Sequence, residues 1–414
     1  MQQQKSLFCV LLVEECWWCS NKIAVASRFL GCTVGFCKIT TMQNKPNKNE
    51  TNSDVPGLGS TVAKHYNELQ ESGLKARGQS PIFFMRNFNN WIKSICIGET
   101  LTKLRQENNN ITVLDLCCGK GGDLLKWKKG QISHLVCVDI ADVSVKQAQS
   151  RYQEMKEKAQ NERYPQNVFR AEFYTADCSK EQICELYDDR DMSFDLCSCQ
   201  FSFHYSFESL PQARMMLRNA CERLKPGGYF IGTTPNSTEL VKRLKESDGV
   251  SYGNEVYKIT FENKDSFPIF GCKYDFYLDG VVNCPEFLVY IPLLQEMAKE
   301  FDMELVSHKT FKNIFDEHKS TREGATLLQK MKALQHIPLE KHELYSDNSE
   351  FDHIKNYSSM ENKSNNIGTL SQSEWEASSL YCAFVFKKHS HPSTIEDSSD
   401  QLEPSPSKKM KHSL

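Results

Sequence analysis

Residues 111–127, ITVLDLCCGKGGDLLKW, pass from an apolar run through a glycine-rich turn into a segment of helical character. The run from Ile111 to Leu116 predicts a buried strand, because β-branched and leucyl residues continue with Asp115 as their one charged member. The glycines that follow allow a tight turn and a close approach of the backbone to a ligand. The helix that Asp123 opens would present its first N–H groups to the same place. This stretch therefore predicts an α/β fold with a ligand site at the edge of its sheet.

A second predicted strand, at residues 134–140, ends in Asp139 about 20 residues beyond the turn, where a nucleoside-binding βαβ unit places its ribose-binding carboxylate. A glycine-rich turn alone can be a simple connection, but Asp139 favours a nucleoside cofactor. The turn lacks the dinucleotide fingerprint G-x-G-x-x-G, which disfavours an NAD-dependent dehydrogenase. It matches instead the pattern D-x-G-x-G-x-G, with Cys117 in place of the first glycine. That pattern is typical of S-adenosylmethionine-dependent methyltransferases.

The rest of the chain continues to alternate strands and helices. Further strands are predicted at 171–176, 194–201, 229–233, 255–261, 271–278, 305–311 and 381–386, and further helices at 64–79, 143–158, 213–224, 237–247 and 285–301. This order predicts an α/β fold with a doubly wound, mainly parallel, seven-stranded Rossmann-like sheet and helices on both faces. Acids near the ends of three strands, Asp115, Asp139 and Asp177, suit a purine nucleoside held across the carboxyl edge.

An aromatic helix is predicted before the first strand, with Pro81 at its start. Its apolar residues recur at spacings of three and four: Phe84, Phe88, Trp91, Ile92 and Ile95. Asn89, Asn90 and Lys93 lie among these residues. From the pattern alone they are either the solvated face of the helix or ligand-binding groups.

Composition excludes several classes of protein. The formal net charge of −3 over 414 residues argues against a chain that is basic throughout, so any nucleic-acid contact must come from a local patch. Many of the 17 cysteines lie inside apolar strand patterns, which indicates small buried hydrophobes in a reducing compartment. No apolar run reaches the roughly 18 residues that a membrane span needs, so we expect no membrane association.

Three regions differ in composition. The composition of residues 1–62 predicts a disordered or atypical extension. Residues 63–388 are predicted to form one large domain, and residues 389–414 are predicted to form a disordered basic tail. Within the domain, residues 338–374 are rich in Ser, Asn, Lys and Glu and predict a disordered loop. The tail carries a KKMK cluster at 408–411 that suits nuclear import.

The extension also contains a possible zinc motif. Cys16 and Cys19 have the spacing of one zinc-ligand pair, but Cys32 and Cys37 are spaced by four and no histidine supports them. We therefore predict no metal site.

Six motifs together identify a resemblance. HYNELQESG, IFFMRNFNNWIKS, VLDLCCGKGGDLLKWKKG, FDLCSCQFSFHYSFES, LKPGGYFIGTTPNS and FGCKYDFYLDGVVNCPEFLVY closely resemble the eukaryotic mRNA cap guanine-N7 methyltransferases, class I S-adenosylmethionine-dependent enzymes. The resemblance runs from about residue 63 to residue 388 and implies methyl transfer from S-adenosylmethionine to N7 of the cap guanine.

The resemblance implies two sets of site residues. The residues that would bind S-adenosylmethionine are Lys93, Cys117 at the first glycine of the turn, Asp139, Asp177, Gln200 and Tyr205. The residues that would bind the mRNA cap are Asn89, Asn90, Lys120, Lys126, Arg151, His204, Glu286 and Tyr381.

Elementary chemistry agrees with these assignments. Asp139 would accept hydrogen bonds from the ribose hydroxyls and Asp177 from the adenine amino group, and Lys93 would lie near the methionine carboxylate. The cationic members of the cap set would form the local positive patch that a triphosphate bridge needs. Guanine N7 already has a lone pair and needs no general base, so no residue is assigned a proton-transfer role.

Cys117 leaves an alternative open. If its position needs a positive φ, a side chain there costs roughly 1 to 3 kcal/mol. The chain could then be a cap-binding pseudoenzyme that keeps the fold and binds cofactor poorly. The resemblance further implies a nuclear protein that acts on the capped 5′ end of pre-mRNA, has a small activating subunit and meets an importin through its basic tail.

Overall fold

The computed structural model describes residues 58–68, 78–163, 167–338, 349–359 and 366–390. The Cys-x-x-Cys pair of the extension and the basic cluster of the tail lie outside the described residues. In the part of the chain that is described, no helix is long and apolar enough to cross a membrane, and no cluster of His, Cys, Asp and Glu side chains is suited to a metal ion.

Five strands form the parallel part of the central sheet: β1 Thr112–Leu116, β2 His134–Asp139, β3 Arg170–Thr175, β4 Phe194–Gln200 and β5 Leu224–Pro235. Each pairs in parallel with its neighbours, in the order β5-β4-β1-β2-β3. Parallel pairing follows from the crossover connections between the strands, and it brings their carboxyl ends to one edge.

The α-helices of the described residues are α1 Leu58–Glu68, α2 Phe83–Arg105, α3 Leu124–Lys129, α4 Asp142–Gln160, α5 Leu210–Cys221, α6 Ser237–Glu246, α7 Ile291–Ala298, α8 Phe311–His318, α9 Arg322–Met331 and α10 Gln372–Ser378. Short 3₁₀ helices occupy Ile183–Glu185, Phe203–Glu208, Lys299–Phe301 and Ser349–Ser359.

Helices cover both faces of the sheet, as predicted. Alternate residues of a strand point to opposite faces, so Leu114 and Val136 join one core cluster with residues of α5 and α7. Val113 and Leu135 join a second cluster with residues of α2, α3 and α4. The two faces together bury each strand, which explains why β1 and β2 are almost uninterrupted apolar runs.

A second, antiparallel sheet follows α6. It consists of β6 Ser251–Gly253, β7 Tyr257–Phe261, β8 Lys273–Leu278 and β9 Val282–Phe287, in that order. Its apolar face packs against the aromatic side of α2, where Phe88, Trp91 and Ile92 are fully buried. The amphipathic spacing that predicted α2 therefore marks a helix that joins the two sheets.

The last strands are β10 Met303–Thr310, β11 Gln335–Pro338, β12 Asn366–Thr369 and β13 Tyr381–Lys388. β13 lies antiparallel between β5 and β10 and completes the seven-stranded sheet. The predicted fold class is thus confirmed.

Residues 285–301, predicted as one helix, begin in β9, and that prediction was wrong for residues 285–287. Glu286 is registered opposite Tyr274 of β8, so strand pairing overrides the apolar spacing that suggested an earlier helix start. The helix itself is shorter, from Ile291 to Ala298. Helix α1 likewise begins at Leu58, before the predicted domain boundary at residue 63.

The prediction of disorder for residues 338–374 was wrong for the residues that the structure describes there. β12 pairs with β11, and Ser371 and Glu374 form a capping box at the start of α10. The Trp375 ring then packs 5.3 Å from the Phe88 ring of α2. Polar composition hid this structure, because its polar side chains cap a helix instead of remaining solvated. Residues 339–348 and 360–365 lie outside the described residues.

Gly121 in the turn before α3 should not tolerate a side chain. Its φ is +71°, and a Cβ would lie 2.7 Å from Leu124 Cδ1 and 3.2 Å from Ala148 Cα. We expect Gly121→Ala to lower the free energy of unfolding by about 1 to 3 kcal/mol in urea titrations. Gly249→Ala is the control, because a Cβ there meets no atom within 4 Å. Equal losses in the two variants would contradict the strain.

Candidate functional site

The carboxyl edge of the parallel strands brings together the residues predicted to bind the cofactor. Cys117 directly follows β1, Asp139 ends β2, Asp177 lies just beyond β3, and Gln200 ends β4. Tyr205 lies in the 3₁₀ helix after β4. Their side chains converge because parallel strands all end at this edge, the usual ligand position of an open α/β sheet.

The turn after β1 has a left-handed backbone at Cys117, Gly119 and Gly121, with φ values of 54°, 52° and 71°. Position 117 therefore has the positive φ on which the alternative raised by Cys117 depends. The Gly119 N–H donates to Asp139 Oδ2 at 2.8 Å, and the Ala141 N–H donates to Oδ1 at 2.9 Å. Asp139 therefore holds the turn in place and keeps a second acceptor position on each oxygen.

A cavity lies beside this turn, lined among others by Cys117, Asp177 and Tyr205. Leu58 and Gly59 of α1 line it from the other side. A Cβ on Gly119 would meet no atom within 4 Å, so the turn leaves room for a ligand against its backbone. These features fit a nucleoside cofactor.

Asp177 and Gln200 are held by local hydrogen bonds. The Ser179 N–H and hydroxyl both donate to Asp177 Oδ1, at 3.0 and 2.6 Å. The Gln200 amide donates to the Ser198 hydroxyl at 3.1 Å and accepts from the Thr233 hydroxyl at 3.1 Å. Both side chains are thus oriented before a ligand arrives, which lowers the entropic cost of binding.

Lys93 and Lys126 share a buried partner. Asp123 Oδ1 lies 2.9 Å from Lys93 Nζ and 2.6 Å from Lys126 Nζ. Burial disfavours the charged carboxylate, but the two ammonium groups outweigh this and hold the pKa of Asp123 well below its usual range. The cluster keeps one net positive charge beside the glycine turn, which suits the binding of an anionic group.

The pair formed by His204 and Glu286 is the most deeply buried polar group of the site, with side chains 2% and 3% exposed. His204 Nε2 lies 3.2 Å from Glu286 Oε1, yet neither ring nitrogen has an aligned hydrogen-bond partner in the described residues. The Tyr274 hydroxyl donates to Glu286 Oε2 at 2.8 Å. Buried polar atoms without partners are costly, so this arrangement points to a polar ligand.

Aromatic rings surround that pair. Tyr381 is buried and lies 5.1 Å from Phe201 and 5.6 Å from Phe311, measured between ring centroids. The Tyr205 hydroxyl links this region to the cofactor cavity, since it lies 3.3 Å from Cys284 Sγ in β9. A flat, polar-edged base would find both stacking and hydrogen-bonding groups here.

The remaining predicted cap residues form two contacts. Lys126 Nζ donates to Asn90 Oδ1 at 3.1 Å, and the Arg151 guanidinium donates to the Lys120 carbonyl at 2.7 Å. Asn89 Oδ1 is buried and has no hydrogen-bond partner in the described residues. The Asn–Asn pair of α2 is therefore partly buried beside the cationic groups, and is not simply a solvated helix face.

Sequence reasoning missed three residues of the site. Tyr66 of α1 contacts the Tyr205 hydroxyl at 3.1 Å, Asp123 neutralises part of the charge of Lys93 and Lys126, and Tyr274 orients Glu286. Tyr66 belongs to the HYN motif, which was a usable signal. Nothing in the sequence indicated the other two roles, because they depend on elements distant along the chain.

A family model for the mRNA (guanine-N(7))-methyltransferase domain matches residues 47–389. The mRNA cap guanine-N(7) methyltransferase of Drosophila melanogaster is 46% identical over 333 residues, covering 79% of this chain and 76% of that protein. The Caenorhabditis elegans protein of the same name is 41% identical over 340 residues, covering 80% and 87%. The mRNA cap guanine-N(7) methyltransferase 1 of Oryza sativa subsp. japonica is 38% identical over 338 residues, covering 80% and 82%.

One solved structure that matches the chain resembles it only loosely. An S-adenosylmethionine-dependent methyltransferase from Clostridium acetobutylicum is 13% identical with a TM-score of 0.38, covering 80% of this chain and 98% of its own. A match of this quality carries no argument about the site.

Cofactor affinity should depend on pH through Asp139. Burial, with the Cys117 thiolate as a second cause, raises the pKa of Asp139 from 3.8 to about 7. Below that pH the protonated carboxyl accepts ribose hydroxyl hydrogen bonds less well. We expect affinity for S-adenosylmethionine to rise about tenfold from pH 6 to pH 8 in calorimetry.

The stability of the cofactor-free protein should change in the opposite sense. Between about pH 4 and pH 7 the folded Asp139 holds a proton that the unfolded chain has lost, so its contribution to stability falls as pH rises. Asp139→Asn should remove the pH dependence of binding, and the exposed Asp316→Asn should keep it. An affinity that does not change between pH 6 and pH 8 would contradict the raised pKa.

Proposed function

Because the chain belongs to the mRNA (guanine-N(7))-methyltransferase family, it transfers a methyl group from S-adenosylmethionine to N7 of the mRNA cap guanine, and we propose which of its residues carry out each part of that transfer. The proposal rests on one observation: a cavity for the cofactor and a buried polar pair for the cap guanine lie next to each other. A cavity suited to a nucleoside meets a buried His204–Glu286 pair with unsatisfied imidazole nitrogens, and Tyr205 lies between them.

S-adenosylmethionine supplies an electrophilic methyl group on a sulfonium centre. Asp139 would accept from the ribose hydroxyls through the acceptor positions that Gly119 and Ala141 leave free. Asp177 would accept from the adenine amino group, and Lys93 would face the methionine carboxylate. Gln200 and Tyr205 would close the cavity around the sulfonium side, and the backbone of Cys117 would form its floor.

The cap guanine would bind at the buried pair. Glu286 would accept from the guanine N1–H and amino group, which requires a carboxylate held in one orientation. Tyr274 supplies that orientation, since its hydroxyl donates to Glu286 Oε2, and burial together with the Glu286 charge raises the pKa of Tyr274 so that it remains a donor. His204 would donate to the base, and Tyr381 would pack against it.

The negatively charged triphosphate bridge needs a cationic surface that the chain as a whole does not offer. Lys120, Lys126 and Arg151 would supply it, with Asn89 and Asn90 as neutral donors. Asp123 restrains Lys126 at 2.6 Å. The charge is therefore positioned before RNA binds.

No general base is needed, because guanine N7 already carries the lone pair that accepts the methyl group. The residues contribute alignment and exclusion of water. We assign no proton-transfer role to His204 or Glu286.

The pseudoenzyme alternative is not supported by the relatives, which are named as cap methyltransferases. Cys117 has a φ of 54° in the folded chain, so the strain that its side chain causes lowers the stability of the fold.

The capped 5′ end of mRNA is the substrate partner. We propose, from the resemblance and the role of the relatives in mRNA capping, that the protein works in the nucleus. We also propose two protein partners: a small activating subunit, and an importin that binds the basic tail. Expression of a tagged full chain with and without residues 408–411 would test the importin proposal by imaging.

Cys117→Gly should raise the free energy of unfolding by about 1 kcal/mol, because glycine adopts a left-handed backbone without the penalty of a Cβ. Its affinity for S-adenosylmethionine should change less than about tenfold, because the turn presents the same backbone groups to the ligand in both variants. Urea titration and calorimetry measure the two quantities. Cofactor binding seen only in the glycine variant would revive the pseudoenzyme alternative.

Glu286→Gln should separate cap use from cofactor binding. Loss of the charged acceptor should raise KM for capped RNA about 10- to 100-fold, as expected for a hydrogen bond to a charged group. The cofactor Kd should stay nearly unchanged. Glu262→Gln, at an exposed carboxylate paired with Lys273, is the control. Comparable losses of cap use and cofactor binding would sink the assignment.

A further inference from the structure

We propose that Cys117 and Cys178 form a reversible redox modification site in which a disulfide between them excludes the methyl donor. The inference goes beyond methyl transfer, and it rests on the proposed position of the cofactor in the cavity beside the turn. It starts from a group of thiols that the transfer reaction does not use.

Three cysteines lie close together beside this cavity. Cys117 packs against the core cluster that contains Cys178 and Cys199, and these two thiols are the main influence on the pKa of the Cys117 thiol. The three cysteines come from three different segments: Cys117 follows β1, Cys178 directly follows Asp177 beyond β3, and Cys199 lies on β4, registered opposite Leu116. All three are free thiols in this structure.

The residues that line the cavity show which of the two neighbouring thiols can be the disulfide partner of Cys117. Cys117 and Cys178 both line the cavity, together with Asp177 and Tyr205. Cys199 is fully buried within β4. A small oxidant that enters the cavity therefore reaches Cys117 and Cys178, and Cys117 packs against the cluster to which Cys178 belongs.

The adjacent Cys118 provides an internal contrast. Cys117 packs against the core cluster on one face of the sheet, whereas Cys118 packs against the cluster on the other. Hydrogen bonds from Cys178 and Cys199 hold the pKa of the Cys117 thiol well below its usual range. The contact with Cys137, followed by burial, raises the pKa of Cys118. Since the thiolate is the nucleophile, only Cys117 of this pair is prepared to react.

The chemistry needs a two-electron oxidant, and a peroxide suffices. The Cys117 thiolate attacks one peroxide oxygen; an S–O bond forms, the O–O bond breaks, and the released hydroxide takes a proton to become water. The Cys178 sulfur then attacks the sulfenic sulfur; an S–S bond forms, the S–O bond breaks, and a second water leaves with the Cys178 proton. Two thiols are oxidised and one peroxide is reduced to two waters. A dithiol reverses the reaction by exchange.

The disulfide and the cofactor should exclude each other. Cys178 is the neighbour of Asp177, the proposed adenine ligand, and Cys117 belongs to the turn that Asp139 holds. A bond between the two sulfurs ties the turn to the segment of Asp177 and so shifts the ligand groups at the edge of the cavity. Bound cofactor in turn blocks access of peroxide to both thiols, so protection must be reciprocal.

The test uses the full chain, hydrogen peroxide as oxidant and S-adenosylhomocysteine as protecting ligand. Trypsin separates the thiols, because Cys117 lies in the peptide 106–120, Cys178 in 171–180 and Cys199 in 191–214. Mass spectrometry without reduction should find 106–120 joined to 171–180. S-adenosylhomocysteine should suppress that product. Affinity for S-adenosylmethionine should fall at least about tenfold after peroxide and recover with dithiothreitol.

Variants identify the sulfur atoms. Cys118→Ser shares the peptide with Cys117 and should keep both the cross-link and the sensitivity to peroxide. Cys117→Ser and Cys178→Ser should each lose the cross-link, and each should show the same cofactor affinity before and after peroxide. Each variant is compared with itself, so a change in its basal affinity does not affect the result.

Three outcomes would overturn the proposal: a cross-link from 106–120 to 191–214 in place of 171–180, a cross-link that survives in Cys117→Ser, or cofactor affinity that persists in the cross-linked protein. Failure of the proposed function has a different signature. Reduced protein would then bind no S-adenosylmethionine at all, and S-adenosylhomocysteine would give no protection.

Discussion

The hydrogen bond from the Gly119 N–H to Asp139 Oδ2, at 2.8 Å, is the contact on which the site depends. It joins the turn after β1 to the end of β2 and holds a left-handed backbone that would otherwise be free to relax. The oxygen atoms of Asp139 are occupied by two N–H donors, yet each retains capacity for a ligand. One carboxylate thus fixes the shape of the turn and keeps acceptor capacity toward the cavity.

The charged side chains of the site also share hydrogen-bonding and ionic partners. Asp123 neutralises one of the two lysines that approach it, and Tyr274 fixes one oxygen of Glu286 while the other faces His204. A buried charge is tolerated where partners surround it.

Cys117 shows how one position can carry several constraints. Its left-handed backbone strains the fold, its backbone borders the cofactor cavity, and its thiol lies near two others. The folded chain accommodates this backbone at Cys117, so the residue is compatible with a working methyltransferase. The same placement exposes the thiol to whatever enters the cavity, which connects the chemistry of the sulfur to the occupancy of the site.

The sequence by itself determined the fold class, the turn and the residues that end the strands. These features are local: apolar runs, glycine spacing and an acid at a fixed offset are properties of short segments, and parallel strands then place their ends together. Other features could not be predicted from the sequence. The pairing of β9 with β8 placed Glu286 on a strand, and a capping box gave structure to part of a segment whose composition suggested none.

The tertiary structure alone decided the partners. Asp123 contacts Lys93, which lies 30 residues away along the chain. Tyr66 contacts Tyr205 across 139 residues, and Cys117 lies near Cys178 across about 60 residues. Such contacts are set by how helices and strands pack, and packing depends on the shapes of many residues at once. Periodicities and motifs contain no information about those shapes. The sequence could therefore suggest candidate residues of the site, and only the folded chain could show which of them lie together.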